Sequence, residues 1–327
     1  MDRPGDRVVA MRRSQLVRGA LASSVGAALV RFAPMLAGMS VPPAHGQTPT
    51  SARMLTRPIP STGEALPVIG CGTYVGFDQA PGSEDYARLP GVLEALFAAG
   101  GSVIDSSPMY GRAEATTGEL LAASGQRDRA FLATKVWTRG RAEGIRQMET
   151  SMRLLRTDRI DLMQVHNLLD WRTHLATLRD WKARGRIRYL GITHYTSSAY
   201  DEVEAVLRAE RGIDFLQINY ALDDREAERR VLPLAAERGV AVLVNVPFGG
   251  GGLLRGLLGK PLPSWAAEIG ATSWAQVLLE FVLSNPAVTC TIPGTRRREH
   301  MEDNARAGLA PPPPPEFWRD KVAQIVR

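Results

Sequence analysis

Little in this chain invites a disulfide framework, a zinc site or a membrane span. Only two cysteines, Cys71 and Cys290, occur in 327 residues, too few for either a disulfide scaffold or a four-ligand metal centre. Lysine is nearly as scarce. Of 40 basic side chains only Lys135, Lys182, Lys260 and Lys321 are lysines, so a well-placed lysine carries more information than usual. The uncharged run at 19–30 is twelve residues long, which is short of a bilayer-spanning helix. No Gly-x-Gly-x-x-Gly stands between the first strand-like segment and a helix, which argues against an open dinucleotide-binding sheet.

What is present is ordinary globular composition, 44% hydrophobic and 23% charged, in a length that suits two average domains or one α/β barrel. The net charge of +6 is uneven. Residues 1–46 hold six arginines against Asp2 and Asp6, which leaves 34 basic and 32 acidic side chains beyond them. The body therefore has no basic excess of the kind that attracts nucleic acid, and no nucleic-acid partner is expected.

The first segment reads as an export signal. Arg12-Arg13 precedes the uncharged run at 19–30, an apolar stretch at 32–41 follows Arg31, and Pro42-Pro43-Ala44-His45-Gly46 closes the segment with small residues. A paired arginine before a mildly apolar Gly/Ala-rich region resembles a twin-arginine signal. The expected partner of the precursor is then the twin-arginine export machinery, and the expected destination is the periplasm. A disordered basic tail or a surface-lying amphipathic helix is the alternative, and it would leave the chain in the cytoplasm. The expected organisation is a signal at 1–46 and one domain at 47–327, with no membrane segment in the latter.

In that domain short apolar runs alternate with longer amphipathic ones. Strands are expected at 68–72, 103–107, 130–137, 160–167, 187–195, 215–222, 240–248 and 288–295. Helices are expected near 84–99, 115–124, 140–155, 172–184, 198–210, 226–238, 271–284 and 298–307. Leu93, Leu96 and Phe97 follow the helical period, as do Val277, Leu278 and Phe281. Gly100, Gly185 and Gly239 fall where helices should stop. Alternating strand and helix imply parallel strands with right-handed crossovers, and eight such units make one closed (β/α)8 barrel. Residues 56–68, turning at Ser61-Thr62-Gly63-Glu64, suggest a hairpin under the barrel. Five prolines at 311–315 suggest a stiff spacer before a last helix. Cys71 and Cys290 fall in the first and last strands, as buried neighbouring thiols.

Active sites of this architecture lie at the carboxyl ends of the strands. There the sequence places Asp105 and Tyr110 after the second strand, Lys135 in the third and His166 at the end of the fourth. Each residue alone has a bland reading as a cap, a packed ring or an ion pair. Together on one rim they suit proton supply to a carbonyl. A free phenol has a pKa near ~10 and is a weak acid at neutral pH. A neighbouring ammonium favours its phenolate, an acid keeps that lysine charged, and a histidine orients the substrate oxygen. None of these groups carries a hydride, so a cofactor must. No metal-ligand cluster stands on the rim. Tyr74, Trp137 and Trp171 lie at or beyond strand ends, as pocket walls or as barrel packing.

The stretches Ile104-Asp105-Ser106-Ser107-Pro108-Met109-Tyr110-Gly111, Ala133-Thr134-Lys135-Val136-Trp137, Asp161-Leu162-Met163-Gln164-Val165-His166-Asn167 and Ile292-Pro293-Gly294-Thr295 through Asp303-Asn304 resemble the aldo/keto reductase family. The likeness runs from about Arg57 to Asn304. It implies a (β/α)8 fold, an NADPH cofactor (NADH as the alternative) and reduction of aldehydes or ketones. It also implies Tyr110 as proton donor, Lys135 and Asp105 as its tuners, and His166 as substrate orienter. Asn167, Thr193 and Gln217 match positions that meet the nicotinamide carboxamide; Thr295, Arg296 and Asn304 match the adenosine end. The sequence departs from the family at His194, where Asn is commoner, and at Asn245, where many members stack a tyrosine on the nicotinamide. Gly294 and His300 stand where many carry Lys and Arg. These departures leave open a second function, that of an NADP(H)-holding regulatory module with little turnover.

Arg296-Arg297-Arg298 open the last expected barrel helix. Cations at a helix N-terminus oppose its dipole, at up to ~1 kcal/mol each. A bound 2′-phosphate would offset that, with Arg296 as its main contact. Gly249 to Gly252 form either a loop closing over a pyrophosphate or a plain surface loop.

Overall fold

The structure is a computed structural model that describes residues 53–326. The expected signal segment and its boundary at 46/47 lie outside the described residues.

The chain enters through an antiparallel hairpin, β1 (Thr56–Pro58) and β2 (Ala65–Pro67), with Thr56 opposite Pro67. Eight parallel strands follow: β3 (Cys71–Gly72), β4 (Val103–Asp105), β5 (Phe131–Val136), β6 (Ile160–His166), β7 (Ile187–Thr193), β8 (Phe215–Asn219), β9 (Ala241–Asn245) and β10 (Val288–Thr291). They pair in sequence order. The sheet closes where Ile69 bridges Thr291 and Gly72 bridges Gly294. Across that seam the Gly70 amide donates to Thr291 O and the Thr291 amide to Val68 O, both at 2.9 Å. A Cβ on Gly72 would sit 2.8 Å from Ile292 O, so only glycine permits this approach.

The barrel helices are α1 (Glu84–Ala98), α2 (Ala113–Ser124), α3 (Arg141–Leu154), α4 (Trp171–Ala183), α5 (Tyr200–Ala209), α6 (Glu226–Arg229), α7 (Val231–Glu237), α8 (Gly252–Leu257), α9 (Trp274–Ser284) and α10 (Arg298–Arg306), with α11 (Val322–Ile325) beyond. The helix expected over 226–238 is broken at Arg230, where φ is −133° and ψ −70°. Pro233 explains the break: its ring clashes with the carbonyl four residues earlier, so the helix must restart just ahead of it. The expected last helix is also shorter. A 3-10 turn over Pro315–Trp318 and the four-residue α11 stand in its place. Trp318 is buried, with ring centroids 5.4 Å from Phe281 and 5.8 Å from Trp265. The proline stretch is thus followed by a docked segment.

Two apolar cores result. One lies between barrel and helices, where Leu93, Leu96, Phe97, Val277, Leu278 and Phe281 are buried as their period requires. The other fills the barrel. Ile59 and Leu66 of the hairpin segment plug its amino-terminal end against Phe131, Tyr189 and Phe215. Cys71 and Cys290 are buried free thiols. Burial pushes Cys71 up to about 12 and raises Cys290 further. The plug leaves only the carboxyl ends of the strands open for chemistry.

Candidate active site

Above the plug the inward positions turn polar. On β5 the inward series Phe131 and Ala133 continues to Lys135, and on β6 Leu162 continues to Gln164 and His166. Strand pleating sets that alternation. Asp105, Lys135, Gln164, His166 and Gln217 are all 5% exposed or less. Buried polar groups of this kind must satisfy one another.

They do so around Asp105. Lys135 Nζ donates to Asp105 Oδ2 and to Ser106 O, both at 2.7 Å. Gln217 Nε2 and Gln164 Nε2 donate to Asp105 Oδ1 at 2.8 and 3.2 Å. Thr193 Oγ1 donates to Gln217 Oε1 at 3.4 Å. The Gln217 amide is therefore directed at the acid, a partner that strand spacing alone does not reveal. Burial pulls the Lys135 ammonium down, but Asp105 and then Tyr110 outweigh it and hold the group above the usual lysine range. It stays charged.

Tyr110 follows a turn closed by its amide on Ser107 O at 3.0 Å. Lys135 Nζ lies 5.0 Å from its ring centroid. Burial pushes the phenol above its usual value, Lys135 pulls it back, and Asp105 pushes it up again. Lys135 thus lowers the phenol in the expected direction, but desolvation exceeds that attraction. His166 stands edge-on to Tyr110, with ring centroids 6.0 Å apart at 86°. Burial, then Lys135, then His194 lower His166 to about 3, so its ring is neutral.

Two of the three aromatic rings expected near the site stand beside its polar group. Tyr74 lies 5.0 Å from Tyr110 and Trp137 6.2 Å from His166, ring to ring, and both rings are exposed. Trp171 is not part of this group. It packs half-buried against the helical core, with the Arg172 guanidinium 4.2 Å over its ring.

The rim has features that suit a bound amide. The Asn167, Asn245 and Gln164 side-chain oxygens are buried without a hydrogen-bond partner among the described residues. Such acceptors are costly unless a ligand or an ordered water fills them. The rim is also strained. Of six non-glycine residues with positive φ, Val75, Asn167, Leu168, Asp170 and Val246 lie in loops that leave the carboxyl ends of β3, β6 and β9. Each costs of order 1–3 kcal/mol, and such strain clusters at functional sites.

At the start of α10 no side chain caps the first amides, while Thr295 Oγ1 accepts from the Arg297 amide at 3.1 Å. The three arginines do not stand unpaired, as the dipole argument assumed. Arg296 reaches Asp85 at 3.2 Å, Arg297 reaches Glu299 at 3.8 Å, and Arg298 bridges Glu302 and Glu94 at 2.7 and 3.1 Å. Carboxylates from α1 and α10 already offset part of the repulsion. Asn304 is buried on α10. The glycine loop is turn-bonded: the Gly251 and Gly252 amides reach Phe248 O and Gly249 O at 3.0 Å.

Sequence reasoning missed Ser107, whose buried Oγ lies 3.1 Å from His166 Nδ1. It also missed the role of Gln164, although that residue lies two positions before His166 on the same strand face. Among the described residues no group of three His, Cys, Asp or Glu is placed to hold a metal, and no helix is long and apolar enough to cross a membrane.

The fold and the site define a (β/α)8 barrel enzyme with a buried proton-handling group at the carboxyl ends of its strands. The model of the aldo/keto reductase family matches residues 68–319, and the chain belongs to that family. Methylglyoxal reductase YeaE of Escherichia coli (strain K12) is 31% identical over 251 residues, covering 74% of this chain and 85% of the relative. Aldo-keto reductase YhdN of Bacillus subtilis (strain 168) is 30% identical over 227 residues, covering 64% and 66%. The crystal structure of an aldo-keto reductase from Klebsiella pneumoniae in complex with NADPH superposes with a TM-score of 0.68 at 27% identity, covering 83% of this chain and 94% of that one.

Proposed function

We propose that this barrel reduces an aldehyde or ketone with NADPH and that Tyr110 hands the proton to the carbonyl oxygen. The observation that carries the reading is the buried Lys135–Asp105 pair beneath Tyr110, with the edge of His166 beside it. When bound, the reduced nicotinamide supplies the hydride. Asn167 and Thr193 would hold its carboxamide beside the Gln217 that braces Asp105. Thr295, Arg296 and Asn304 would hold the adenosine phosphate end at the uncapped start of α10.

The chain's own residues handle the proton. A phenol raised by burial remains protonated at neutral pH, as a general acid must. Lys135 stays charged and lowers the cost of the phenolate left behind. With the Ser107 hydroxyl as donor to His166 Nδ1, the ring proton sits on Nε2, which would donate to the substrate oxygen. Positioned proton transfer of this kind contributes ~10²–10⁴ in rate. Tyr74 and Trp137 wall an apolar entrance that suits an aromatic carbonyl. The alternative of a cofactor-holding module rests on His194 and Asn245, and the intact acid–amine pair under Tyr110 favours turnover. The test is NADPH oxidation with an aromatic aldehyde. Cofactor binding without substrate-dependent oxidation refutes the reductase reading.

We also infer that the precursor leaves the cytoplasm by the twin-arginine route for the periplasm. The support is the Arg12-Arg13 pair, the apolar run and the small-residue end. A precursor with Arg12→Lys and Arg13→Lys should stay in the cytoplasmic fraction. Unchanged location refutes this inference and leaves the enzymatic one untouched.

A further inference from the structure

A groove of about 1210 Å³ opens at the opposite end of the barrel, where β5, β6 and β7 begin. Seven arginines and five carboxylates line it. Three of the arginines have carboxylate partners: Arg127 reaches Asp161, Arg186 reaches Glu149, and Arg188 joins Asp161 to Glu64. Arg129 lies over the Phe97 ring at 4.9 Å. Among the described residues the remaining three, Arg153, Arg156 and Arg159, meet no carboxylate within 4.0 Å. Arg153 and Arg156 stand at the carboxyl end of α3, and Arg159 directly precedes β6. A helix end draws cations through its dipole, but that effect is small and confined to the last turn.

Two further observations point to a ligand. Arg156 occupies the position after the cap of α3 with φ at 54°. Glycine adopts that left-handed backbone freely, whereas an arginine there is strained. It is the one strained non-glycine residue among those described that lies away from the catalytic rim. The second observation is Arg127 Nε, a buried donor in the groove wall with no hydrogen-bond partner among the described residues.

We propose that this groove binds a small polyanion, a molecule bearing two or more phosphate or carboxylate groups. Arg153, Arg156 and Arg159 grip it with their guanidinium forks, and Arg127 Nε supplies an inner donor. Planar guanidinium matches both oxyanions in two-pronged fashion. The site stands apart from the catalytic one and does not depend on the reductase reading.

Isothermal titration of the full chain with tripolyphosphate and with citrate, each without and with saturating NADPH, tests this. One equivalent of at least one anion should bind, more weakly as salt rises. The tighter of the two assigns the natural ligand to phosphates or to carboxylates. Arg156→Gly and Arg159→Ala together should weaken binding about tenfold or more. Arg156→Gly alone should also raise the melting temperature, since it removes strain. A merely structural arginine would lower it instead. Absence of binding by both anions, unchanged affinity in the double variant, displacement by NADPH, or a lowered melting temperature in Arg156→Gly overturns the proposal.

Discussion

Asp105→Asn should be far more damaging than its near-identical shape suggests. The carboxylate accepts from Lys135 on one oxygen and from Gln164 and Gln217 on the other. An asparagine offers one acceptor and one donor. Whichever way its amide turns, a donor meets a donor. Gln164 can answer by flipping, because its own oxygen has no partner. Gln217 cannot flip without losing the Thr193 hydroxyl. Lys135 is left fully buried with Ser106 O as its one strong acceptor. Breaking a buried pair from one side costs ~3–5 kcal/mol. At about 2–4 °C per kcal/mol for a domain of this size, the melting temperature should fall by roughly 6–20 °C. Lys135→Met should cost less, because Asp105 keeps both glutamine donors. The double variant Asp105→Asn with Lys135→Met should recover much of the loss, since the orphaned ammonium has gone, while activity stays low. Thermal unfolding of the four proteins closes the cycle. A single Asp105→Asn variant that melts like the parent, or a double variant that melts at the sum of the two losses, would refute the reasoning.

Three other expectations are open to direct measurement. Tyr110→Phe should lose ~10²–10⁴ of the reduction rate while melting like the parent, and the parent's rate should hold from about pH 5 to about pH 9. That flatness has two sources: His166 is already neutral above about 3, and the burial-raised phenol gives up its proton only in alkali. Loss of rate on acidification through pH 6–7, the range of an ordinary histidine, would contradict it. Ser107→Ala should reduce kcat more than it changes the melting temperature, because His166 loses the partner that fixes its tautomer, and Ser107→Thr should restore part of the rate. Glu280 is buried on α9 and desolvation lifts its carboxyl from 4.5 to about 7. Because the folded pKa is raised, folding should lose stability as pH rises from below 4.5 through about 7. Glu280→Gln should therefore match the parent at pH 4 and melt higher at pH 8, as scanning calorimetry will show.

The parts of this molecule that could be read from sequence are those that local periodicity writes. All eight strands appear at their expected places, because a parallel barrel strand is an apolar run bounded by helix stops. The rim residues were legible for the same reason: a strand that ends in Asp105, Lys135 or His166 delivers that residue to the carboxyl end. The break at Arg230 was also written, in Pro233, but it is visible only once the helix is required to be continuous. What sequence could not supply is pairing across the barrel. Gln217 reaches Asp105 over 112 residues, and Ser107 reaches His166 over 59. Neither contact has a spacing signature. The arginines before α10 show the same limit. As a string they look like uncompensated charge, and only the packing of α1 against α10 brings Asp85 and Glu94 to meet them.

The distribution of backbone strain links these points to function. A closed parallel barrel is costly to distort within its strands, since each is hydrogen-bonded on both sides, and among the described residues every left-handed backbone lies outside them. Loops at the plugged end need only cross from helix to strand, and there glycines at 100, 185 and 239 absorb left-handed turns, with Arg156 as the exception. Loops at the open end carry the left-handed turns on Val75, Asn167, Leu168, Asp170 and Val246 as well. Leucine and valine gain nothing locally from that backbone. Such a backbone sets where their side chains point. Asn167 makes the point most directly: its side-chain oxygen is buried with no partner among the described residues, a cost that a bound amide donor would remove. Asn167→Gly should therefore raise the stability of the free protein by relieving both strain and the orphaned acceptor, and weaken NADPH binding at the same time. Opposite signs from calorimetry and from cofactor titration are the expected pair. Equal and parallel losses in both would show instead that Asn167 is a structural residue.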